Sequence, residues 1–165
     1  MGEVSGEPGC CVWLTGRRGA GKTTVARAVA AQLRRRGAPV AVVDESEVRE
    51  HLGGTDPLDG LLWVARLVMG AGAIAVVAVD QPRRASREEL RVTVPGFVEV
   101  FVDAGPGPDV YEEPYAPELR VPTGDRSPEA SAAQVVSWLE DQGLVVGEPD
   151  ARAQTRPDGR IPPSR

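Results

Sequence analysis

Apolar runs alternate with stretches of helical period along most of this chain, the pattern of a parallel sheet covered by helices on both faces. Cys10 to Leu14 reads as a first buried strand. The segment after it carries Val25, Ala26, Val29, Ala30 and Leu33 on one stripe and closes in Arg34, Arg35, Arg36 and Gly37. Arginines complement the negative end of a helix and glycine suits the position beyond it, so the triplet reads as a solvated helix end rather than a nucleic-acid patch. Val40 to Val43 gives a second strand that closes in Asp44. Leu61, Leu62, Ala65 and Leu67 to Met69 predict a helix, and Ala73 to Val79 is a near-continuous apolar run, as expected of a central parallel strand. Ser86 with Glu88 and Glu89 resembles a helix start, Phe97 to Val102 another strand, and Gly105 to Pro108 a loop-like stretch. Ser127 as N-cap, Pro128 in the first turn and Ala132, Val135, Val136 and Leu139 define a last amphipathic helix, with Trp138 at its edge. The fold class is α/β.

Between the first strand and the first helix, Gly16-Arg17-Arg18-Gly19-Ala20-Gly21-Lys22-Thr23 fills the pattern G-x-x-x-x-G-K-[ST]. Glycines at this spacing let successive backbone N–H groups curl around a phosphate, and the following helix turns its positive end toward the same anion. The predicted nucleotide-binding set is Gly16, Gly19, Ala20, Gly21, Lys22, Thr23 and Thr24. Lys22 reaches the β- and γ-phosphate oxygens of ATP, and Thr23 gives its hydroxyl to Mg²⁺. Together with the strand pattern, the motif predicts a P-loop NTPase-type three-layer sandwich with a mainly parallel central sheet. Ligands in such sheets sit beyond the carboxyl ends of strands, which places Asp44 for a role in catalysis or metal holding. Asp80, after the third apolar run, either holds magnesium through water or caps the next turn. The motif names the phosphoryl donor and leaves the acceptor open.

At 165 residues the chain suits one domain, expected over 9–146, between a flexible N-terminus at 1–8 and a disordered tail at 147–165. That tail holds prolines and charges with almost no apolar residues to offset its ordering entropy. The net charge of −5 argues against a polyanion partner such as nucleic acid. Cys10 and Cys11 are adjacent in an apolar strand, so they read as buried, reduced thiols and not as a disulfide or metal pair. No run of about 18 apolar residues and no signal-peptide pattern is seen, and the expectation is a cytoplasmic protein that does not enter a membrane. The single histidine, His51, follows a charged helical segment and reads as a surface or packing residue.

Five blocks in order resemble the adenylyl-sulfate kinase family. Gly9-Cys10-Cys11-Val12-Trp13-Leu14-Thr15-Gly16 is similar to the family's GCVVWLTG, and Val42-Val43-Asp44-Glu45-Ser46-Glu47-Val48-Arg49 to its LDGDNVR. Gln81-Pro82-Arg83-Arg84-Ala85-Ser86-Arg87 resembles SPYRADR, Val100-Phe101-Val102-Asp103-Ala104 resembles VFVDA, and Glu113-Pro114-Tyr115-Ala116-Pro117-Glu118-Leu119 resembles PYEAPENPEL. The resemblance runs from about Gly9 to Leu119 and implies transfer of the γ-phosphoryl of ATP to the 3′-hydroxyl of adenylyl sulfate, a step of sulfate assimilation. It also implies that Arg49 and Arg84 bind the small anionic acceptor, and that Lys22 and Asp44 are the catalytic pair.

The chain departs from the family's pattern on the acceptor side. Ser46 stands where the family has a second aspartate, and Glu47 where it has asparagine. The acceptor-clasping segment is shortened to Gly53 through Gly60, and only Gly105 to Glu112 joins the blocks between which the family carries a long basic lid. Two readings follow. In one the chain is a lidless kinase for adenylyl sulfate or another hydroxyl acceptor, with Asp44, Glu45 or Glu47 as its acid/base group. In the other it is a nucleotide-binding module without transfer, and a homodimeric copy or partner protein supplying a lid in trans stays open.

Overall fold

A computed structural model describes residues 9–52, 57–81 and 83–145. The expected tails and part of the shortened segment, residues 53–56, lie outside the described residues. Five strands, β1 (Cys11–Thr15), β2 (Val40–Asp44), β3 (Ile74–Ala78), β4 (Phe97–Asp103) and β5 (Leu119–Pro122), form one sheet in the order β2-β3-β1-β4-β5. All four strand pairings are parallel. Helices α1 (Lys22–Arg35), α2 (Glu45–Leu52), α3 (Pro57–Gly70) and α4 (Arg84–Thr93) lie in the connections from β1 to β4, and α5 (Pro128–Asp141) follows β5. The predicted α/β three-layer sandwich is the architecture observed.

Strand alternation distributes the core. Val12 and Leu14 face α1 and α5, packing with Val25, Val29, Leu33, Val135 and Leu139. Cys11 and Trp13 face the opposite layer with Leu61, Ala65 and Leu90. A central strand buried on both faces must be apolar throughout, which is why β1 and β3 read as continuous apolar runs. Helix α1 ends as expected: the Gly37 amide donates to the Arg34 carbonyl and the Ala38 amide to Leu33. Ser127 caps α5, its Oγ accepting from the Ala130 amide at 3.2 Å.

Three details differ from the sequence reading. α4 begins at Arg84, two residues before Ser86, with Arg83 at the cap position and no side-chain cap. Gly105 to Pro108 is loop as expected, but a strand absent from the sequence reading follows it, β5, which pairs with β4 over Val100 to Asp103. Its four residues carry Arg120 and Pro122 on an edge, so no apolar run marks it. His51 lies within α2 and not after it, exposed, with Nδ1 donating to the Glu47 carbonyl at 2.8 Å.

Loops after β1 and β3 leave toward opposite faces, since α1 packs in one layer and Leu90 of α4 in the other. The crevice between the carboxyl ends of these neighbouring strands is where such a sheet binds ligands.

Burial pushes the Cys10 thiol up to about 11 and the Cys11 thiol up to about 12, the Cys10 charge adding to the latter. At pH 8 such shifts lower the reactive thiolate fraction by more than about 100-fold. Native protein is therefore expected to resist an aromatic disulfide reagent and to release two thiols only on unfolding. Rapid titration of either cysteine in the native state would contradict this packing.

Candidate active site

The carboxyl ends of β1, β2 and β3 bring Thr15, Asp44 and Asp80 to one rim of the sheet. From Thr15 the chain turns through Gly16, where a Cβ would lie 2.4 Å from the Val102 carbonyl oxygen, so only glycine lets the loop pass this close to β4. Gly21, at φ +90°, makes the left-handed step into α1. Lys22 is buried beneath the loop. Its Nζ donates to the carbonyls of Gly16 at 3.0 Å and Arg17 at 2.8 Å and pairs with Asp80 Oδ1 at 2.7 Å. The ammonium thus spans the crevice between β1 and β3.

Thr23 Oγ1 donates to Asp44 Oδ2 at 3.0 Å, while Asp44 Oδ1 accepts from the Ser46 amide at 2.9 Å. Asp44 therefore serves two neighbours: the hydroxyl at the start of α1 and the first turn of α2. The structure brings together Lys22, Thr23 and Asp44 from the predicted set, and adds Asp80 as the direct partner of the lysine.

Arg49 lies outside this cluster, on the exposed side of α2. It pairs with Glu45, whose other oxygen accepts from the Asp80 amide at 3.0 Å, so it joins the cluster through one intervening carboxylate. Arg84 sits on the far side, with its guanidinium 3.7 Å from the Tyr115 ring centre and its Nε donating to the Glu113 carbonyl at 2.7 Å. Both predicted acceptor arginines are engaged by intramolecular partners.

The link between β4 and β5 lies against the loop. Arg17 donates to the Asp109 carbonyl at 2.7 Å, the Arg18 amide donates to Asp109 Oδ2 at 3.2 Å, and the hydroxyls of Thr15 and Tyr111 meet at 2.7 Å. Burial raises the Tyr111 phenol above its ordinary value, with the Thr15 hydrogen bond and the nearby Arg87 charge opposing it. At the end of β4, the Gly105 amide and then Arg120 hold the Asp103 carboxyl below the usual carboxylate range. Three cavities open here: one of about 350 Å³ bordered by Gly16, Arg18, Asp80, Gln81 and Tyr111, one of about 370 Å³ between Gly21, Thr24, Ala104, Thr123 and Pro128, and one of about 280 Å³ over Gly21, Lys22, Thr23 and Asp80.

Residues missed by the sequence reading support this arrangement from behind. Arg87, fully buried, donates Nε to Glu99 Oε1 at 2.9 Å, one terminal nitrogen to the Gln81 carbonyl at 2.7 Å, and the other to the Glu112 carbonyl. Glu99, 1% exposed, also meets Arg91 at 2.9 Å. Thr123 Oγ1 donates to the Ala20 carbonyl at 3.1 Å, tying the end of β5 to the loop. The signal for the buried pair is Glu99 itself, a carboxylate in the middle of an apolar strand that demands a cationic partner.

Residues 8–108 match the model of the family described as adenylylsulphate kinase. The chain belongs to the adenylylsulphate kinase family. Membership makes it a phosphotransferase of a family that uses ATP. It is similar to an adenylyl-sulfate kinase of Synechococcus, at 33% identity across 83% of this chain and 98% of the relative. It is also 35% identical to a probable bifunctional SAT/APS kinase of Sorangium cellulosum, where the match covers 83% of this chain but 29% of that longer protein. Among solved structures, Mycobacterium tuberculosis APS kinase in complex with AMPPNP and APS superposes with a TM-score of 0.70 at 27% identity, covering 81% of this chain and 98% of that one. As an adenylylsulphate kinase family member, the chain keeps the phosphate loop and the acid at the end of β2 in one cluster.

Arg87→Met would leave the Glu99 carboxylate short of a buried partner and is expected to cost about 3–5 kcal/mol of stability. Urea denaturation checks this, and Arg87→Met/Glu99→Leu is expected to recover much of the loss. A single variant as stable as the parent would remove the pair from its supporting role.

Proposed function

We propose that this chain transfers the γ-phosphoryl group of ATP to the 3′-hydroxyl of adenylyl sulfate. The observation that carries the reading is the Lys22–Asp80 pair across the β1–β3 crevice beside the Thr23–Asp44 pair, the whole in a chain of this family. The loop amides and the N-terminus of α1 bind the phosphates, with Gly19, Ala20, Gly21 and Thr24 as the surrounding surface. The cavity beside Thr24, Ala104 and Thr123 suits the nucleoside end of ATP. The cavity bordered by Asp80 and Gln81 suits the acceptor, and Arg49 and Arg84 are its anion-binding groups on this reading.

Among the described residues, no group of three or more His, Cys, Asp or Glu forms a metal cage. Magnesium in phosphoryl-transfer sites takes one or two oxygen ligands from protein and the rest from phosphates and water, and the Thr23 hydroxyl with the Asp44 carboxylate supplies that kind of donor set. When bound, magnesium neutralises charge on the β- and γ-phosphates.

In the transfer the bond from the γ-phosphorus to the β–γ bridging oxygen breaks, and a bond forms from the acceptor hydroxyl oxygen. The hydroxyl proton passes to a carboxylate. Asp44, Asp80 and Glu45, whose Oε2 accepts from the Asp80 amide, are the carboxylates at the cluster. Asp44 and Asp80 are each engaged through both oxygens, Asp44 with the Thr23 hydroxyl and the Ser46 amide and Asp80 with Lys22 and Arg18, while Ser46 contributes only that backbone amide. Because the transition state is loose, position and charge count for more than the strength of the base. The short link from Gly105 to Glu112 supports a site without the family's long lid. Buried, unpaired cysteines fit a cytoplasmic location.

The test is release of ADP from Mg·ATP with and without adenylyl sulfate, with identification of the 3′-phosphorylated product. Lys22→Ala serves as the blank, expected to lose turnover on the order of 10³-fold because it removes the charge aimed at the β and γ oxygens. Asp44→Asn is expected to slow transfer by about 10²-fold while changing ATP affinity little. ATP binding with no product would instead favour a nucleotide-binding module without transfer.

A further inference from the structure

The two adjacent arginines of the phosphate loop have opposite surroundings. Arg17, with its side chain 20% exposed, is spent on the carbonyl of Asp109 and the face of Tyr111. Arg18, with its side chain 85% exposed, points its guanidinium at Asp80 Oδ2, 3.5 Å away, while Lys22 holds Asp80 Oδ1 at 2.7 Å. One carboxylate therefore carries two cations, one on each oxygen. The backbone of Arg18 is fixed by its amide bond to Asp109, so the side chain moves from an anchored point.

Lys22 is the group aimed at the β- and γ-phosphate oxygens. A cation that shares a carboxylate with it lies within a side chain's swing of the same phosphoryl group. The hold on Arg18 is weak: an exposed pair at this separation is worth little, and a doubly charged phosphoryl competes well for a guanidinium. Arg18 also borders the 350 Å³ cavity with Gly16, Asp80 and Gln81, on the side from which an acceptor would approach. A planar fork of donors matches phosphoryl oxygens better than a point charge does.

We propose that Arg18 is a catalytic residue that leaves Asp80 to hold the equatorial oxygens of the γ-phosphoryl in the transition state, an arginine finger supplied by the phosphate loop itself. The inference rests on the phosphoryl-transfer reading above. Asp80 keeps Lys22 in place while Arg18 moves. The chain thus carries a mobile cation at the phosphate loop, beside the link that runs from Ala104 to Glu118 between β4 and β5.

The test compares wild type, Arg18→Ala and Arg18→Lys in binding ADP with magnesium, alone and with aluminium fluoride, which mimics the phosphoryl in flight. ADP alone is expected to bind all three within about 3-fold. Aluminium fluoride is expected to tighten ADP on the wild type, and Arg18→Ala to lose at least about 30-fold of that tightening, with Arg18→Lys between them. In turnover with adenylyl sulfate, Arg18→Ala is expected to lose kcat on the order of 10³-fold with little change in KM for ATP. Equal tightening in wild type and Arg18→Ala, or no tightening in the wild type, overturns the proposal. A loss of affinity for ADP alone also overturns it, because it assigns Arg18 to ground-state binding. The fluoride measurement contains no acceptor, so it decides on Arg18 even if adenylyl sulfate is not phosphorylated and the reading of the acceptor fails.

Discussion

The buried guanidinium of Arg87 is the constraint on which the rest of the site depends. It reaches the middle of β4 through Glu99, the turn after Asp80 through the Gln81 carbonyl, and the link to β5 through the Glu112 carbonyl. A guanidinium is planar and always charged, so three acceptors arranged around it are held at fixed angles as well as fixed distances. Burying such a group is costly unless every donor is used, and the cost itself makes alternative arrangements of these segments unfavourable. The wall of the crevice is therefore set by one fully buried side chain.

In front of that wall, charge is arranged in alternation. Lys22 and Arg18 flank Asp80, Arg49 faces Glu45, and Glu45 in turn accepts from the Asp80 amide. The chain as a whole is acidic, at −5, yet the cations cluster where phosphate oxygens would lie. A small anion needs only such local charge, whereas a polyanion would need a continuous basic track.

The sheet, its helices and the phosphate loop were legible in the sequence because each has a strong local signal: apolar runs for β1 and β3, a stripe from Val25 to Leu33 for α1, and fixed spacing for the loop. Lys22, Thr23 and Asp44 stand out for the same reason, and of these Thr23 and Asp44 share a hydrogen bond. What stayed hidden lacks a local signal. β5 alternates too briefly, and Arg120 and Pro122 mask it. Arg87 looks like any helix arginine until Glu99 is found beneath it, twelve positions later in the chain. Tyr111 and Thr123 act through contacts with Thr15 and Ala20 that only the folded chain creates. Spacing gives Asp80 either a metal or a capping role, and the geometry adds an ion pair with Lys22 that spacing does not encode.

The edge strand β5 has a bearing on behaviour in concentrated solution. An exposed edge invites another chain to add to the sheet, and proteins guard against this with short strands, prolines and charges. β5 has four residues, ends in Pro122, and carries Arg120 held across to Asp103. Beyond it, Thr123 is fastened to the Ala20 carbonyl. The contact that ties the Gly16–Thr23 loop to the end of β5 thus also terminates the sheet, so a loosened loop would leave a pairing edge less well closed, and a disordered loop and a tendency to aggregate would share one origin.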